Sequence, residues 1–362
     1  MIKKNYKLIN GSQAINDGLI QAGKKNKKVI FLAEGISDPS YVYGTTKNLF
    51  KLFGANRVIE IPLSENALTG VAIGSAMNGM RPILNFHRVE FALLAIEQLF
   101  NNAAKAHYIS AGKHKVPFVL RLVVGRGWGQ GPEHSQVLEG IFAMIPGLKV
   151  IMPTFPNDSK GMLIKSIEDD NPVIFIEHRW NHYIQENVKL GYFTKSINGP
   201  RLINKGNDIT IVSTSYMTIE TINAIKHLKK ISVSVDHFDL RVLRPLKIND
   251  IKKSVCRTGR LITVDTGFKM FGIGSEIISQ VVEDCFKFLK YPPLKLGLPD
   301  HPIPSSRGYL ENIYPNSLNI FLASLKILNL KESKFNKEIK NLKNEISKLS
   351  IDVPNPKFKG PF

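Results

Sequence analysis

Short apolar runs alternate with stretches of helical spacing along the first half of the chain. The runs predict strands at Val29–Ala33, Arg57–Ile61, Pro82–Phe86, Pro117–Val124, Leu148–Met152 and Val173–Ile176. Between them, apolar positions three and four apart predict helices over Ser12–Lys25, about Thr45–Phe53, from Ala67, Phe91–Ser110, Ser135–Met144 and Asn157–Glu168, with Ser12 a candidate N-cap for the first. Continuous apolar strands alternating with helices imply a parallel sheet covered on both faces, the α/β class.

Residues from about Arg179 to Lys205 break this alternation and carry Gly191, Gly199 and Pro200. The pattern then resumes with strands expected at Ile209–Ser213, Val233–Phe238 and Leu261–Val264, and helices at Thr218–Lys229, Asn249–Cys256 and Ser275–Leu289. The expected organisation is a parallel-sheet α/β domain over 1–190, a linker over 191–206, a smaller α/β domain over 207–330, and a lysine-rich amphipathic helix and tail over 331–362. In that last segment Phe335, Ile339, Leu342, Ile346 and Leu349 form a seam alternately four and three apart. It is too short for a coiled coil and is expected to fold back on its own domain, with a partner subunit as the alternative.

A chain of 362 residues accommodates two such domains. The start, MIKKNYKLIN, lacks the apolar core of a signal peptide, and no apolar run approaches the roughly 18–20 residues that span a bilayer. Cys256 and Cys285 are too few and too isolated in sequence for a disulfide framework or zinc site, and read as core residues. The cytoplasm is the expected compartment. The formal charge of +19 comes mainly from dispersed lysines. With no zinc-finger spacing and no basic stripe interleaved with aromatics, it points to composition, not to a nucleic-acid groove.

Four side chains with chemical potential follow the first predicted strands: Glu34, Glu65, Phe91 and His134. In a parallel sheet the loops after the strands share one edge, where ligands bind, so these residues are expected to converge. Each has a plain alternative: Glu65 as a helix-start carboxylate, Glu34 as a loop acid, Phe91 as core, His134 as an idle loop histidine. Behind Glu65 the helix carries Gly70, Gly74, Ser75 and Ala76, small residues that admit a close neighbour.

Several motifs, in order along the chain, resemble one family: Leu63-Ser-Glu65, Gly79-Met-Arg-Pro82, Ala103–Tyr108, His134-Ser-Gln136, Pro146-Gly-Leu-Lys-Val150, Asp170-Asn-Pro-Val173 and Asp239-Leu-Arg-Val-Leu-Arg-Pro245. They look like the β subunit of the thiamine-diphosphate-dependent first component of 2-oxoacid dehydrogenase complexes, pyruvate dehydrogenase type, over about Ser12 to Pro315. The resemblance implies a transketolase-like pyrimidine-binding domain followed by a transketolase C-terminal domain. It implies that Glu65 hydrogen-bonds the aminopyrimidine ring of thiamine diphosphate, that Leu63 and Phe91 help to bind it, and that Glu34 neighbours Glu65 closely enough to share a proton. His134 falls on an active-site histidine of the substrate side. A potassium site of some members falls at Phe118, Ser166, Asp169 and Asn171. The implied activity is acetyl-transferring oxidative decarboxylation, with lipoyl groups as acceptor.

The family holds the cofactor's magnesium ion through a Gly-Asp-Gly motif on a separate α subunit, and no Gly-Asp-Gly occurs in this sequence. The resemblance therefore implies an α2β2 assembly, inactive without α, with a lipoyl acyltransferase core as a further partner and neither nucleic acid nor membrane. Departures gather near the expected substrate side. Leu94 stands where the family usually has glutamine, His87, Arg88 and Glu90 precede Phe91, and Arg126 and Trp128 occupy the glycine-rich loop. They leave two other readings open, half of a split transketolase-like carboligase and a non-catalytic structural subunit.

Overall fold

The computed structural model describes residues 5–126, 129–311, 313–349 and 352–353. Trp128 lies outside the described residues. The first half builds a seven-stranded sheet in the order Val242–Arg244, Lys149–Ile151, Val173–His178, Val119–Val124, Arg81–Phe86, Val29–Ala33, Val58–Glu60. All pairings are parallel except that of Val242–Arg244, a strand contributed from the second half. Burial explains the long apolar runs, since Val29–Ala33, Val119–Val124 and Val173–His178 are buried throughout, together with the polar Arg121, Glu177 and His178 that they carry. On one face, Gly11–Lys25 packs against Pro156–Glu168, bringing Ile15, Leu19, Met162 and Leu163 onto Val29, Phe31 and Phe175. On the other, Ala72, Ile73 and Ala76 of helix Glu65–Met77 join Leu84, Leu120 and Ile174. That core continues into Phe238, Leu240, Leu243 and Ile277, so one apolar cluster runs through both halves.

The second half forms a five-stranded sheet, Leu294–Leu298, Leu261–Phe268, Ile209–Ser213, Val235–Asp239 and Arg201–Asn204, parallel except for the last strand. Arg201–Asn204 comes from the stretch expected to be linker, and Gln185–Lys189 pairs with Tyr6–Asn10 in an outlying ribbon. The C-terminal helix, Asn336–Ser347, docks on this domain, with Leu342 buried and Phe335 and Ile339 packed on the cluster around Leu228 and Phe321.

Several expectations are corrected. The first helix is capped by Asn10 rather than Ser12: Asn10 Oδ1 accepts from the Gln13 amide at 2.9 Å, and Gln13 Oε1 accepts from the Asn10 amide at 3.0 Å. The expected helix Phe91–Ser110 is divided into a 3-10 segment Val89–Ala95, a π segment Gln98–Ala103 and an α segment Ala104–Ile109. The expected helix Ser135–Met144 shrinks to Glu139–Ala143, after a separate turn over Gly131–His134. Cys256 and Cys285 are free and pack in the central core, in line with the expectation, and the fold brings these two thiols, distant in sequence, into contact. Among the described residues no helix is long and apolar enough to cross a membrane.

Candidate active site

Sheet order explains why the candidate residues meet. Val58–Glu60, Val29–Ala33, Arg81–Phe86 and Val119–Val124 are consecutive neighbours, so the four loops after them lie side by side at the carboxyl edge. Glu34 follows the second of these strands, Glu65 opens the helix after the first, Phe91 lies in the 3-10 segment after the third, and His134 in the loop after the fourth.

Glu34 and Glu65 are both buried, at 5% and 8% exposure. Burial first, then the charges of Glu65 and Glu60, push the Glu34 carboxyl up to about 7. Its Oε1 has no hydrogen-bond partner among the described residues. The next residue is shaped by crowding. Gly35 has φ +65°, and a Cβ there would meet Asp38 Oδ2 at 2.7 Å and the His87 ring at 2.8 Å, so only glycine fits. Glu60 secures this turn, accepting from the Gly35 amide at 2.6 Å and from the Ser37 amide and hydroxyl at 2.9 and 2.8 Å. Burial raises the Glu60 carboxyl, but the Ser37 and Gly35 donors outweigh it and hold it below the ordinary range.

The ring of Phe91 meets that of His134 edge-on, with centroids 5.9 Å apart and planes at 82°. His134 Nδ1 is in a short hydrogen bond with Glu90 Oε1, a pairing that sequence reading missed. The signal was present: three charged or polar residues, His87, Arg88 and Glu90, interrupt the apolar run between a strand and Phe91. Burial pushes the His87 imidazole down, keeping it neutral near neutral pH. Arg88, 6% exposed, donates to Gln130 Oε1 at 2.6 Å and to the His134 carbonyl at 3.4 Å.

Leu63, 79% exposed, touches no interior of this chain and stands beside the site as open apolar surface. On the helix behind Glu65, a Cβ at Gly74 would meet nothing within 4 Å, and Val71 is 61% exposed. The helix is thus open at Val71 and Gly74, whereas Ala76 is buried in the core and Gly70 lies under Gln98. The donor set of the carboxyl edge fits an aminopyrimidine: a carboxyl that retains its proton near neutrality, an unpartnered buried carboxyl oxygen, a second carboxyl beside it, and an aromatic ring.

The potassium candidates sit elsewhere. Phe118, Ser166, Asp169 and Asn171 gather at the amino edge of the same sheet. There Arg81 Nη1 donates to the carbonyls of Ile167 and Asp169 at 2.9 and 3.0 Å. The Asp169 carboxylate accepts from Lys149 at 2.5 Å and from Asn171, and the Ser166 hydroxyl donates to the Met162 carbonyl. These oxygens are matched by the chain's own cations and amides. Among the described residues, no three His, Cys, Asp or Glu side chains are grouped to hold a metal ion.

Residues 7–183 match the family model "Transketolase, pyrimidine binding domain", and residues 200–317 match "Transketolase, C-terminal domain". The β subunit of the mitochondrial pyruvate dehydrogenase E1 component of Rattus norvegicus is 33% identical over 88% of this chain and 90% of its own length. That of Caenorhabditis elegans is 35% identical over 88% and 92%. The β subunit of acetoin:2,6-dichlorophenolindophenol oxidoreductase from Cupriavidus necator is 36% identical over 87% and 96%. A solved structure of a split-gene transketolase, described as an inactive β4 tetramer, superposes with a TM-score of 0.72 over 89% of this chain and 99% of its own, at 21% identity. That likeness shows the fold. Carboxyl-edge geometry and relatives thus agree: the chain belongs to the transketolase-like family that includes the β subunits of pyruvate dehydrogenase E1 components.

Proposed function

We propose that this chain is the β subunit of a thiamine-diphosphate-dependent 2-oxoacid dehydrogenase, with pyruvate as substrate and a lipoyl group as acyl acceptor, in the cytoplasm. The observation that carries this is the buried pair Glu34–Glu65 at the carboxyl edge, one member keeping its proton near pH 7. When bound, thiamine diphosphate supplies the thiazolium carbon that adds to the oxoacid carbonyl and takes up the electrons as carbon dioxide leaves. Glu65 would hydrogen-bond the aminopyrimidine ring nitrogen, Phe91 would pack on the ring, and Glu34 would hold a proton next to Glu65. His134, fixed through Nδ1 by Glu90, presents its other nitrogen for proton transfer on the substrate side.

The diphosphate and its magnesium ion are assigned to an α subunit in an α2β2 assembly, with a lipoyl acyltransferase core beyond it. Exposed Leu63 and Leu94 and the open face at Val71 and Gly74 support a second chain at this edge. The test is reconstitution. The purified chain alone turns over no pyruvate and gains activity when its α partner is added; robust decarboxylation by the chain alone overturns the proposal. A second reading, half of a transketolase-like carboligase, is favoured by the charged Arg88 and Arg126 beside the site. Acylation of a lipoyl domain by the assembled enzyme supports the first reading, and carbon–carbon ligation products support the second.

A further inference from the structure

The chain has two cysteines, and the fold lays them against each other. Cys256 lies in the last turn of helix Asn249–Thr258, Cys285 ends helix Ile273–Cys285, and their sulfurs are 2.8 Å apart. The two helices are held in register at this point. Lys252, one turn before Cys256, pairs at 2.6 Å with Asp284, the neighbour of Cys285. The Cys285 thiol in turn donates to the Lys252 carbonyl at 3.5 Å. Both thiols are free, and among the described residues no three His, Cys, Asp or Glu side chains are grouped to hold a metal ion, so the pair is not part of a metal centre.

The two sulfurs differ in access. Cys285 is 1% exposed, and burial first, then the Cys256 thiol and Asp284, push its own thiol up to about 12. Left to itself it is a poor nucleophile that no reagent reaches. Cys256 is half-buried and meets solvent. A reagent therefore arrives at Cys256, with a second thiol already in contact behind it.

We propose that Cys256 and Cys285 form an oxidative modification site, converted by a small-molecule disulfide into an intramolecular bond that fastens the two helices. In the first step the Cys256 sulfur attacks one sulfur of the reagent. The reagent's S–S bond breaks, half of it leaves as a thiol carrying the Cys256 proton, and the other half stays on Cys256 as a mixed disulfide. In the second step Cys285 gives its proton to solvent and its sulfur attacks Cys256 Sγ, expelling the remaining half as a second thiol. Two protein thiols are oxidised and one disulfide is reduced to two thiols, so no further oxidant is needed. The first step also removes the Cys256 thiol that helps to hold Cys285 protonated. The new bond closes the chain around strand Leu261–Phe268 of the second sheet, which restricts the unfolded chain and stabilises this domain. In a reducing compartment such a bond forms only when the thiol pool is oxidised, which makes it a reversible fastener. This goes beyond the proposed function and does not depend on it.

The test exposes the full purified chain, reduced and then freed of reductant, to glutathione disulfide under native conditions. Intact mass and peptide mapping without reductant follow the reaction. The unaltered chain should lose two hydrogens, yield one peptide pair joined through Cys256 and Cys285, and gain several degrees in Tm that dithiothreitol removes. Cys285→Ser should stop after the first step and keep one glutathione on Cys256, whereas Cys256→Ser should take up none. Should a serine variant fail to fold, the mass, the mapped bond and the Tm of the unaltered chain decide. A chain that stays fully reduced, that retains glutathione, that links to a second copy, or that forms the bond without a rise in Tm overturns the proposal.

Discussion

Two glutamates on one sheet are buried almost equally and end in opposite states. Glu34 and Glu177 are 5% and 3% exposed, yet the first is pushed up to about 7 and the second pulled down to about 2. Burial raises both. At Glu177 it is reversed by Arg121, whose Nε and Nη2 donate to its two oxygens at 2.6 and 2.9 Å, and by His182 Nε2 at 3.1 Å. Around Glu34 there are two more carboxylates and an unpartnered oxygen. One acid is finished by its own chain. The other is left unfinished, and under the proposed function that difference separates an acid that holds the fold together from one that receives a ligand.

The strongest way to break this contrast is to remove the neighbour of the unfinished acid. Glu65→Ala in the assembled enzyme should cost about 10²–10⁴-fold in turnover, the range of a positioned acid–base group, while leaving the unfolding midpoint of the chain near that of the unaltered protein. Steady-state kinetics of the reconstituted complex checks it. Unchanged turnover would favour a structural subunit and put Glu34–Glu65 in the same class as Glu177.

At the finished acid the expectation is reversed, with a large loss of stability. Arg121→Met leaves Glu177 charged and buried, and should cost about 3–5 kcal/mol in denaturant unfolding. The double change Arg121→Met with Glu177→Met should recover most of that, because no uncompensated charge remains. If the double variant is as unstable as the single one, the loss is one of packing, and the comparison with Glu34 fails.

Glu34→Gln sharpens the contrast through pH. The folded-state carboxyl is raised, so the folded chain binds more protons than the unfolded one, and stability falls as pH climbs from the ordinary glutamate range through about 7. Replacing the acid with its neutral isostere removes that fall. At pH 8 the variant should be more stable than the unaltered chain by on the order of 2–3 kcal/mol, and equal to it at pH 4. Denaturant midpoints across that range decide the matter, and parallel pH profiles for the two proteins would contradict it. Glu34→Gln should also lower the assembled enzyme's activity, the cost of completing a site that was left open.

How far the sequence reading reached follows from what each feature depends on. Buried strands such as Val29–Ala33 and Val119–Val124 are visible because a parallel sheet covered on both faces demands dominantly apolar runs, which in the second strand a single charge, Arg121, interrupts. The adjacency of Glu34, Glu65, Phe91 and His134 follows from strand order, which the alternating pattern and a family resemblance imply together. The pairing of Glu90 with His134 spans 44 residues and leaves no local trace beyond an acid in an apolar run. Arg88, Gln130 and Arg179 come from three separate loops, so their meeting is a property of tertiary packing alone. The division of the expected Phe91–Ser110 helix is of the same kind. Its residues keep helical spacing throughout, and the 3-10 and π segments are the ones that lie against helix Glu65–Met77.

The smallest effect lies far from the site, where the C-terminal helix docks. His227, 2% exposed, lies between two carboxylates that accept from its ring, Glu338 Oε2 2.7 Å from Nδ1 and Glu345 Oε2 3.3 Å from Nε2. Burial raises the Glu338 carboxyl, but His227 and Lys230 outweigh it and hold it below the ordinary range. A depressed carboxyl contributes stability above its unfolded value and loses it as pH falls through the folded one. The helix should therefore loosen in acid before the sheets do. Glu338→Gln should cost only about 1 kcal/mol, because Leu342 and Ile339 still anchor the helix by apolar contact. Amide exchange over 336–347 at pH 7 and pH 4, each rate taken relative to that of the unstructured chain at the same pH, checks this, with weaker protection in acid for the unaltered chain and a smaller pH difference for the variant. Should the helix exchange with the sheet core at both pH values, Glu338 belongs with Glu177, as an acid whose partners make it part of the fold.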